Sequence, residues 1–192
     1  MNVVVLNGNP DPENTRFDRY IRGYQLKMHK TGHYIKTFQL RDMKITGPDD
    51  DTRYIIASLK EADLLIWACP LKNGCLPVLA RMAQSHINRH FQNLLIKDTN
   101  HWIKVQTIPK TPLIGIILEP EPDTTAQDLL LIRLTQERMA AELSTVMSFL
   151  VTADTELTEA VCETVKSFDY RQYIDNTCED FIAGPDRRIG TN

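Results

Sequence analysis

This sequence of 192 residues lacks the features that mark several large classes of protein. Lys and Arg number 22 against 25 Asp and Glu, which gives a formal net charge of −3. There is therefore no basic field to attract nucleic acid or anionic membranes, and we expect neither as a partner. No apolar run approaches the length of a membrane span, and we expect no signal peptide before the first predicted strand. The expected compartment is the cytoplasm.

The sequence also lacks the usual cysteine and hydrolase motifs. Its four cysteines show no CxxC spacing; they are Cys69, Cys75, Cys162 and Cys178. We expect reduced, structural thiols. No GxSxG indicates a serine hydrolase. His86 and His90 share a helical face at i, i+4 and could bind zinc, but no Glu follows His86 as it does in HExxH. Ordinary surface or half-buried histidines are the favoured interpretation.

The most informative stretch of the chain is its beginning. Residues 2–7, NVVVLN, are apolar on both faces, as a central parallel strand is. Residues 8–15 form a loop in which Pro10 and Pro12 lack N–H donors. A helical pattern follows, with Asn14 or Thr15 as its N-cap. A strand, a loop and a helix N-terminus make an anion site, because free N–H groups and the helix dipole converge there. The alternative is an ordinary first βα turn.

The loop matches neither of two common phosphate-binding motifs. It has no Gly-Lys-Ser/Thr ending and no GxGxxG. It ends instead in Asn-Thr, and here the chain resembles the flavodoxin-like NAD(P)H-dependent oxidoreductases, the quinone-reductase and FMN-reductase group. Those proteins open with a strand and a Gly-Ser-Pro-type loop ending in Ser/Asn-Thr, which holds the FMN phosphate. The resemblance implies the same role for residues of this loop and the helix start: Asn9, Asn14, Thr15 and Arg16.

Strands and helices alternate along the chain. After the first strand, further strands are predicted at 33–40 (an edge strand), 63–69, 113–118 and 146–151. Helices are predicted at 14–30, 52–62 and 124–143, the last capped by Asp123 or Thr124. Two further helices are predicted from their apolar faces: one carries Leu76, Leu79, Ala80, Ala83 and Ile87, and the other, which Asp154 can cap, carries Leu157, Ala160, Val161, Val165 and Phe168. Residues 91–111 are predicted to be irregular and include Trp102. The alternation predicts an α/β protein, a three-layer α/β/α sandwich with right-handed crossovers. The resemblance implies the flavodoxin-like order 2-1-3-4-5 for a five-stranded parallel sheet.

The end of the chain extends beyond the part that resembles the family. We predict a flavodoxin-like domain over 1–168 and a C-terminal helix and tail over 169–192. The helix would carry an apolar stripe of Tyr170, Tyr173, Ile174, Cys178 and Phe181. Such a stripe is rarely left exposed to water. Relatives commonly build their flavin sites at a two-fold interface, so the resemblance implies a homodimer to which this helix contributes.

A second loop, residues 68–75, resembles the Pro-Leu-Tyr/Lys-x-Gly segment of the family, whose main-chain groups hold the isoalloxazine ring. The candidate ring-binding residues are Pro70, Leu71, Lys72, Asn73 and Gly74, with Glu119 from the third loop. Lys72 and Asn73 offer donors to the polar edge of the ring. A positive donor there would favour the reduced, anionic flavin. The alternative is an ordinary βα turn.

The resemblance implies an FMN-binding oxidoreductase that passes a hydride or electrons from NAD(P)H through flavin to a quinone, free flavin or similar small-molecule acceptor. The sequence departs from the family pattern in three places. Asp11 and Glu13 occupy the phosphate loop, residues 119–122 read EPEP rather than a glycine-rich loop, and the segment 45–51 is short. A carboxylate within about 6 Å of a phosphate charge costs roughly 3 kcal/mol at an effective dielectric near 20. The alternative hypothesis is a flavodoxin-like protein with weakened or lost FMN binding, acting as a non-enzymatic binding or assembly module.

Overall fold

A computed structural model describes residues 1–46, 51–99, 111–166 and 169, with backbone alone for 93–99. Along the chain lie β1 (Asn2–Asn7), α1 (Thr15–Lys30), β2 (Tyr34–Gln39), a 3-10 turn (Leu40–Asp42), α2 (Thr52–Leu59), β3 (Leu64–Pro70), α3 (Val78–Thr99), β4 (Leu113–Glu119), α4 (Ala126–Glu142), β5 (Met147–Thr152) and α5 (residues 157–166). No helix of these ranges combines the length and the apolar character needed to cross a membrane.

The five strands form one parallel sheet in the order β2-β1-β3-β4-β5. This confirms the predicted flavodoxin-like α/β fold. β1, β3 and β4 are interior strands and are buried along nearly their whole length, which is why they read as continuous apolar runs. β2 lies at an edge and alternates between exposed and partly buried residues over its first half, as its alternating sequence predicts.

Two apolar clusters fill the spaces between the sheet and the helices on its two faces. On one face of the sheet, Phe17 and Ile21 of α1 and Ala160 of α5 pack with strand residues such as Val5 and Ile66. On the opposite face, the apolar sides of α2, α3 and α4 pack with a second strand set that includes Trp67. Successive strand residues point to opposite faces, so each central strand contributes to both clusters. The result is the predicted α/β/α sandwich.

Three local predictions were wrong. Residues 91–99 continue α3 rather than forming irregular structure, because no Gly or Pro interrupts them. The N-cap of α4 is Thr125, whose hydroxyl accepts from the N–H of Asp128 in a capping box. α5 begins at residue 157, so Asp154 does not cap it. The predicted positions of Trp102 and of the helix beginning at Tyr170 lie outside the described residues.

Candidate functional site

Three loops meet at the carboxyl ends of β1, β3 and β4. The Gly8 N–H donates to Ala68 O at 2.8 Å, and the Leu71 N–H donates to Glu119 O at 2.8 Å. A Cβ atom on Gly8 would lie 2.7 Å from the Cys69 sulfur. Gly8 therefore lets the first loop approach β3 closely. This edge of the sheet, where neighbouring crossovers diverge, is where open α/β sheets bind ligands.

Between these loops lies a cleft of about 510 Å³, within the usual range for small-molecule sites. Its walls come from all three loops and from the end of β5; they are Asn14, Arg16, Pro70, Leu71, residues 119–122, Ala153 and Asp154. Five of the predicted site residues thus line one cleft: Asn14, Arg16, Pro70, Leu71 and Glu119.

The other predicted site residues lie beside the cleft rather than in its wall. Asn9 is fully buried, and Thr15 is exposed on the first turn of α1. Lys72, Asn73 and Gly74 form the turn that follows Leu71. The structure places all ten residues at this edge of the sheet, and their roles toward a ligand stay predictions.

The first loop is held by a ladder of side-chain hydrogen bonds. Asn7 Oδ1 accepts from the N–H of Asn9 at 3.0 Å, Asn9 Oδ1 from the N–H of Asp11 at 3.1 Å, and Asp11 Oδ1 from the N–H of Glu13 at 2.8 Å. Each bond spans two residues, which is the geometry of an Asx turn. The residues between, Pro10 and Pro12, carry no N–H. The loop therefore satisfies its own donors.

Asp18 anchors this ladder from the first turn of α1. Its Oδ1 accepts from the amides of Asn7 at 2.8 Å and Asn9 at 3.1 Å, and its Oδ2 lies 2.8 Å from Arg41 Nη2. Burial alone would raise the pKa of Asp18, but the hydrogen bonds from Arg41, Asn9 and Asn7 together lower it below its ordinary value. Asp18 is therefore ionised near neutral pH and fixes the loop to the helix.

Asn14 confirms the predicted N-cap of α1 and also reaches across the cleft. Its Oδ1 accepts from the N–H of Phe17 at 3.3 Å, and its amide donates to Glu119 Oε2 at 2.6 Å. The N–H of Thr15 donates to Glu13 O at 2.7 Å. The described residues place no acceptor on the N–H of Arg16, so this first-turn donor is available for a hydrogen bond.

The second loop also closes on itself. Lys72 and Cys75 exchange two backbone hydrogen bonds, of 2.9 and 3.1 Å. The turn between them needs left-handed backbone at Asn73 (φ 51°) and Gly74 (φ 66°), which Asn and Gly tolerate best. The N–H of Asn73 donates to Glu121 Oε2 at 2.6 Å. The N–H of Asn73, which could otherwise donate to a flavin ring, is thus already bonded to a carboxylate of the third loop.

The wall of the cleft carries more negative than positive charge. Glu119, Glu121 and Asp154 line it together with Arg16. Hydrogen bonds from Thr152 and the local backbone lower the pKa of Asp154, and the nearby charge of Arg16 lowers it further. Behind the cleft, burial raises the pKa of the Cys69 thiol to about 12. Cys69 therefore stays protonated, and its side chain packs in the core rather than acting as a nucleophile.

These residues fit FMN in position and in part of their chemistry. The cleft is large enough for a flat ring, and Pro70 and Leu71 offer it an apolar wall. The guanidinium and open N–H of Arg16 suit a phosphate. The remaining loop donors are already bonded within the protein, so a phosphate that takes any of them must exchange with an internal acceptor.

A metal centre finds no support in the part of the chain that the structure describes. It contains no group of three or more His, Cys, Asp or Glu side chains that could hold an ion. His86 and His90 are half-buried on α3, and their interpretation as ordinary histidines stays a prediction.

Sequence reasoning missed the residues that organise the loops: Asn7, Asp18, Arg41 and Glu121. One signal was available for the ladder, because Asn or Asp occupies positions 7, 9 and 11 in alternation. No local signal points to Arg41, which contacts Asp18 from the 3-10 turn after β2.

No protein-family model matches this chain, and no curated protein matches it. Solved structures do resemble it. RosB with a bound 8-demethyl-8-formylriboflavin-5'-phosphate intermediate is 12% identical, with a TM-score of 0.61 over 100% of this chain and 90% of RosB. An NAD(P)H:quinone oxidoreductase from Methanothermobacter marburgensis is 11% identical, with a TM-score of 0.55 over 90% of this chain and 93% of that one.

A third similar structure is an FMN-dependent NADH-azoreductase from Bacillus anthracis in complex with FMN. It is 11% identical, with a TM-score of 0.51 over 91% of this chain and 99% of that one. At these identities the likeness shows the fold. Two of these three neighbours are named as a quinone oxidoreductase and an azoreductase, and the fold of the chain is flavodoxin-like.

Proposed function

We propose that this protein is an FMN-binding, NAD(P)H-dependent oxidoreductase. In this proposal, reducing equivalents pass from the nicotinamide through flavin to a quinone, a free flavin or a similar small acceptor. The observation that carries it is the cleft at the ends of β1, β3 and β4, which brings the predicted phosphate loop and the predicted ring loop together. Fold neighbours that use FMN and NAD(P)H support the same reading.

Each wall of the cleft has a part in this proposal. Arg16 would hold the phosphate through its guanidinium and N–H, beside the N-terminus of α1. Pro70 and Leu71 would exclude water from one face of the ring, and Lys72 would place a positive charge near its polar edge. Bound FMN supplies the hydride and electron chemistry, and the protein positions and tunes it. The proposal requires no side chain as general acid or base.

A second candidate function rests on carboxylates in the loops around the cleft. Asp11 of the first loop and Glu121 of the cleft wall already accept from the N–H groups of Glu13 and Asn73, so these two donors are satisfied without a ligand. This favours a flavodoxin-like scaffold with weakened or lost FMN binding that serves as a binding or assembly module. The two candidates differ in whether a flavin binds and is reduced.

Measurements of flavin binding and of nicotinamide oxidation distinguish the two candidate functions. We expect the protein to quench FMN fluorescence and to oxidise NADH or NADPH when FMN and a quinone are supplied. Arg16→Glu should weaken FMN binding at least about tenfold, since it replaces an attractive charge by a repulsive one. Arg22→Glu is the matched control, because Arg22 is exposed further along the same helix. Equal effects of the two substitutions would remove Arg16 from the proposed phosphate site, and FMN binding without any oxidation of nicotinamide would remove the enzyme proposal.

We also propose that the protein acts as a homodimer in a reducing compartment, the cytoplasm. Leu130, Leu131 and Leu134 are each more than half exposed on α4, and large apolar groups at neighbouring helical positions are commonly covered by a partner. The exposed thiols of Cys75 and Cys162 are free, which suits a reducing compartment. Light scattering gives the mass directly, and a monomer at all concentrations would contradict the first part of this proposal.

A further inference from the structure

We infer that the cleft selects its electron acceptor by charge: it accepts neutral and cationic quinones in preference to anionic quinones of the same shape. The inference rests on the proposed flavin function and deepens it, because it names the class of acceptor for that same cleft. An acceptor takes its electrons at the flavin, so it must approach the residues that line the cleft. A charged wall attracts or repels each acceptor according to the acceptor's own charge.

The charges in the wall of the cleft are mostly negative. Three carboxylates and one guanidinium line it: Glu119, Glu121, Asp154 and Arg16. Three negative charges against one positive charge leave these side chains with a formal charge of −2. Lys72, exposed on the turn beside the cleft, offsets at most one of the remaining charges. No ion pair in the part of the chain that the structure describes includes a carboxylate of the cleft.

The proposed phosphate site uses up the positive charge of the wall. The proposed function assigns Arg16 to the FMN phosphate, and Arg16 is the one Lys or Arg that lines the cleft within the described ranges. A phosphate monoester carries a charge of about −1.5 to −2 at neutral pH, which more than cancels one guanidinium. An acceptor that enters after FMN therefore meets a wall whose carboxylates are no longer balanced.

Neutral donors fix these carboxylates in the wall. Asn14 Nδ2 donates to Glu119 Oε2 at 2.6 Å, and the N–H of Asn73 donates to Glu121 Oε2 at 2.6 Å. Hydrogen bonds from a neighbouring hydroxyl and the local backbone lower the pKa of the third carboxyl group, that of Asp154. A hydrogen bond from a neutral group stabilises a carboxylate without cancelling its charge. The negative charge of the wall is therefore a fixed feature of the cleft.

The expected size of the effect follows from Coulomb's law. At a separation of about 10 Å and an effective dielectric of about 40, between a protein surface and bulk water, one pair of unit charges corresponds to about fourfold in a rate or binding constant. The screening length is also about 10 Å at 0.1 M salt. The preference should therefore be clear at low ionic strength and should largely disappear at high ionic strength.

The experiment measures kcat/KM for three quinones that share one ring and carry a neutral, a sulfonate or a trimethylammonium substituent. FMN is saturating, and NADH or NADPH supplies a hydride; the quinone gains its two electrons and one proton, takes a second proton from water and becomes the hydroquinone. The three quinones also differ in reduction potential. Each charged quinone is therefore expressed as a ratio to the neutral one, and the ratios are compared between proteins, where the potentials cancel.

Glu121→Gln removes one charge and keeps an oxygen that can accept from the N–H of Asn73. At low salt we expect it to raise the ratio of the sulfonate to the neutral quinone about fourfold and to lower the ratio for the ammonium quinone by a similar factor. Asp154→Asn should act in the same direction, which provides a second test on another loop. Both changes should shrink at about 0.5 M salt.

Glu61→Gln is the matched control for net charge. Glu61 is exposed just before β3, at the amino end of the sheet, whereas the cleft lies at the carboxyl end. It removes the same charge far from the cleft, so we expect each ratio to change by less than about 1.5-fold. The thermal melting curve of each variant verifies that the fold is kept.

Two results would overturn the inference alone. The ratios could be the same in the wild type, Glu121→Gln and Asp154→Asn, or Glu61→Gln could change them as much as the cleft variants do. In both cases the quinones are still reduced, so the proposed function stands. If neither NADH nor NADPH is oxidised with FMN and any of the three quinones, the proposed function and the inference fail together.

Discussion

The half-buried carboxylate of Asp18 organises the first loop, and its replacement by Asn is the perturbation we expect to affect stability most clearly. Asp18→Asn removes the 2.8 Å ion pair with Arg41 and turns an amide N–H₂ toward the guanidinium. One oxygen remains to accept from Asn7 and Asn9. Both ion-pair side chains are about one-fifth exposed, so the pair is screened less than a surface pair. With hydrogen bonds to charged groups worth about 1.5–3 kcal/mol, we expect a loss of about 2 kcal/mol.

The pH dependence of this loss has a definite sign. The pKa of Asp18 is lower in the folded protein than its ordinary value. Its contribution is therefore fully present above the unfolded-state pKa, about 3.9, and is lost as the pH falls through the folded-state pKa. The difference between wild type and Asp18→Asn should thus be largest near neutral pH and shrink in acid.

Urea unfolding followed by circular dichroism, at neutral pH and at about pH 3, measures both quantities. Asp123→Asn serves as the control, because Asp123 is exposed and the same loss of charge there should change stability by less than about 0.5 kcal/mol. The reasoning is refuted if Asp18→Asn costs no more than the control at neutral pH. It is also refuted if the cost is the same in acid.

Two further predictions concern packing and thiol reactivity. Gly115→Ala should destabilise the protein by about 1–3 kcal/mol, because the new Cβ would lie 2.3 Å from the Phe149 ring. Gly23→Ala, at a half-buried position in the middle of α1, should be neutral or slightly stabilising in the same urea experiment, because its Cβ would meet only the flexible end of the Leu157 side chain, at 2.9 Å. Alkylation with iodoacetamide should modify the exposed Cys75 and spare Cys69, whose thiol is buried and has its pKa raised to about 12. Rapid modification of native Cys69 in peptide mass spectra would contradict its place in the core.

The sequence predicts the fold well because the interior strands of a parallel sheet are apolar on both faces. Residues 2–7, 63–69 and 113–118 read as unbroken apolar runs, and these became β1, β3 and β4. The order 2-1-3-4-5 followed from the family resemblance, since apolar runs do not reveal which strand neighbours which. The end of α3 was misjudged because residues 91–99 carry little apolar periodicity, although nothing in them breaks a helix.

The site was predictable in its location but not in its internal bonding. Asn14 and Glu119 are 105 residues apart in the chain and share a hydrogen bond of 2.6 Å. The contact of Arg41 with Asp18 likewise joins two elements across the end of the sheet. Such contacts depend on where the loops fold back, which local pattern does not encode. The sequence showed that the carboxylate of Asp11 would conflict with a bound phosphate. The structure adds that this carboxylate accepts a hydrogen bond from the N–H of Glu13.

The central claim is that the cleft between the three loops binds a flavin. The most direct measurement is the visible absorption spectrum of FMN during titration with the purified protein, with the fluorescence recorded in parallel. The account predicts a perturbed flavin band and quenching that saturate at one FMN per chain, both weakened in Arg16→Glu. The claim is contradicted if the spectrum remains that of free FMN at protein concentrations up to about 1 mM. The free energy of FMN binding would then be weaker than about −4 kcal/mol.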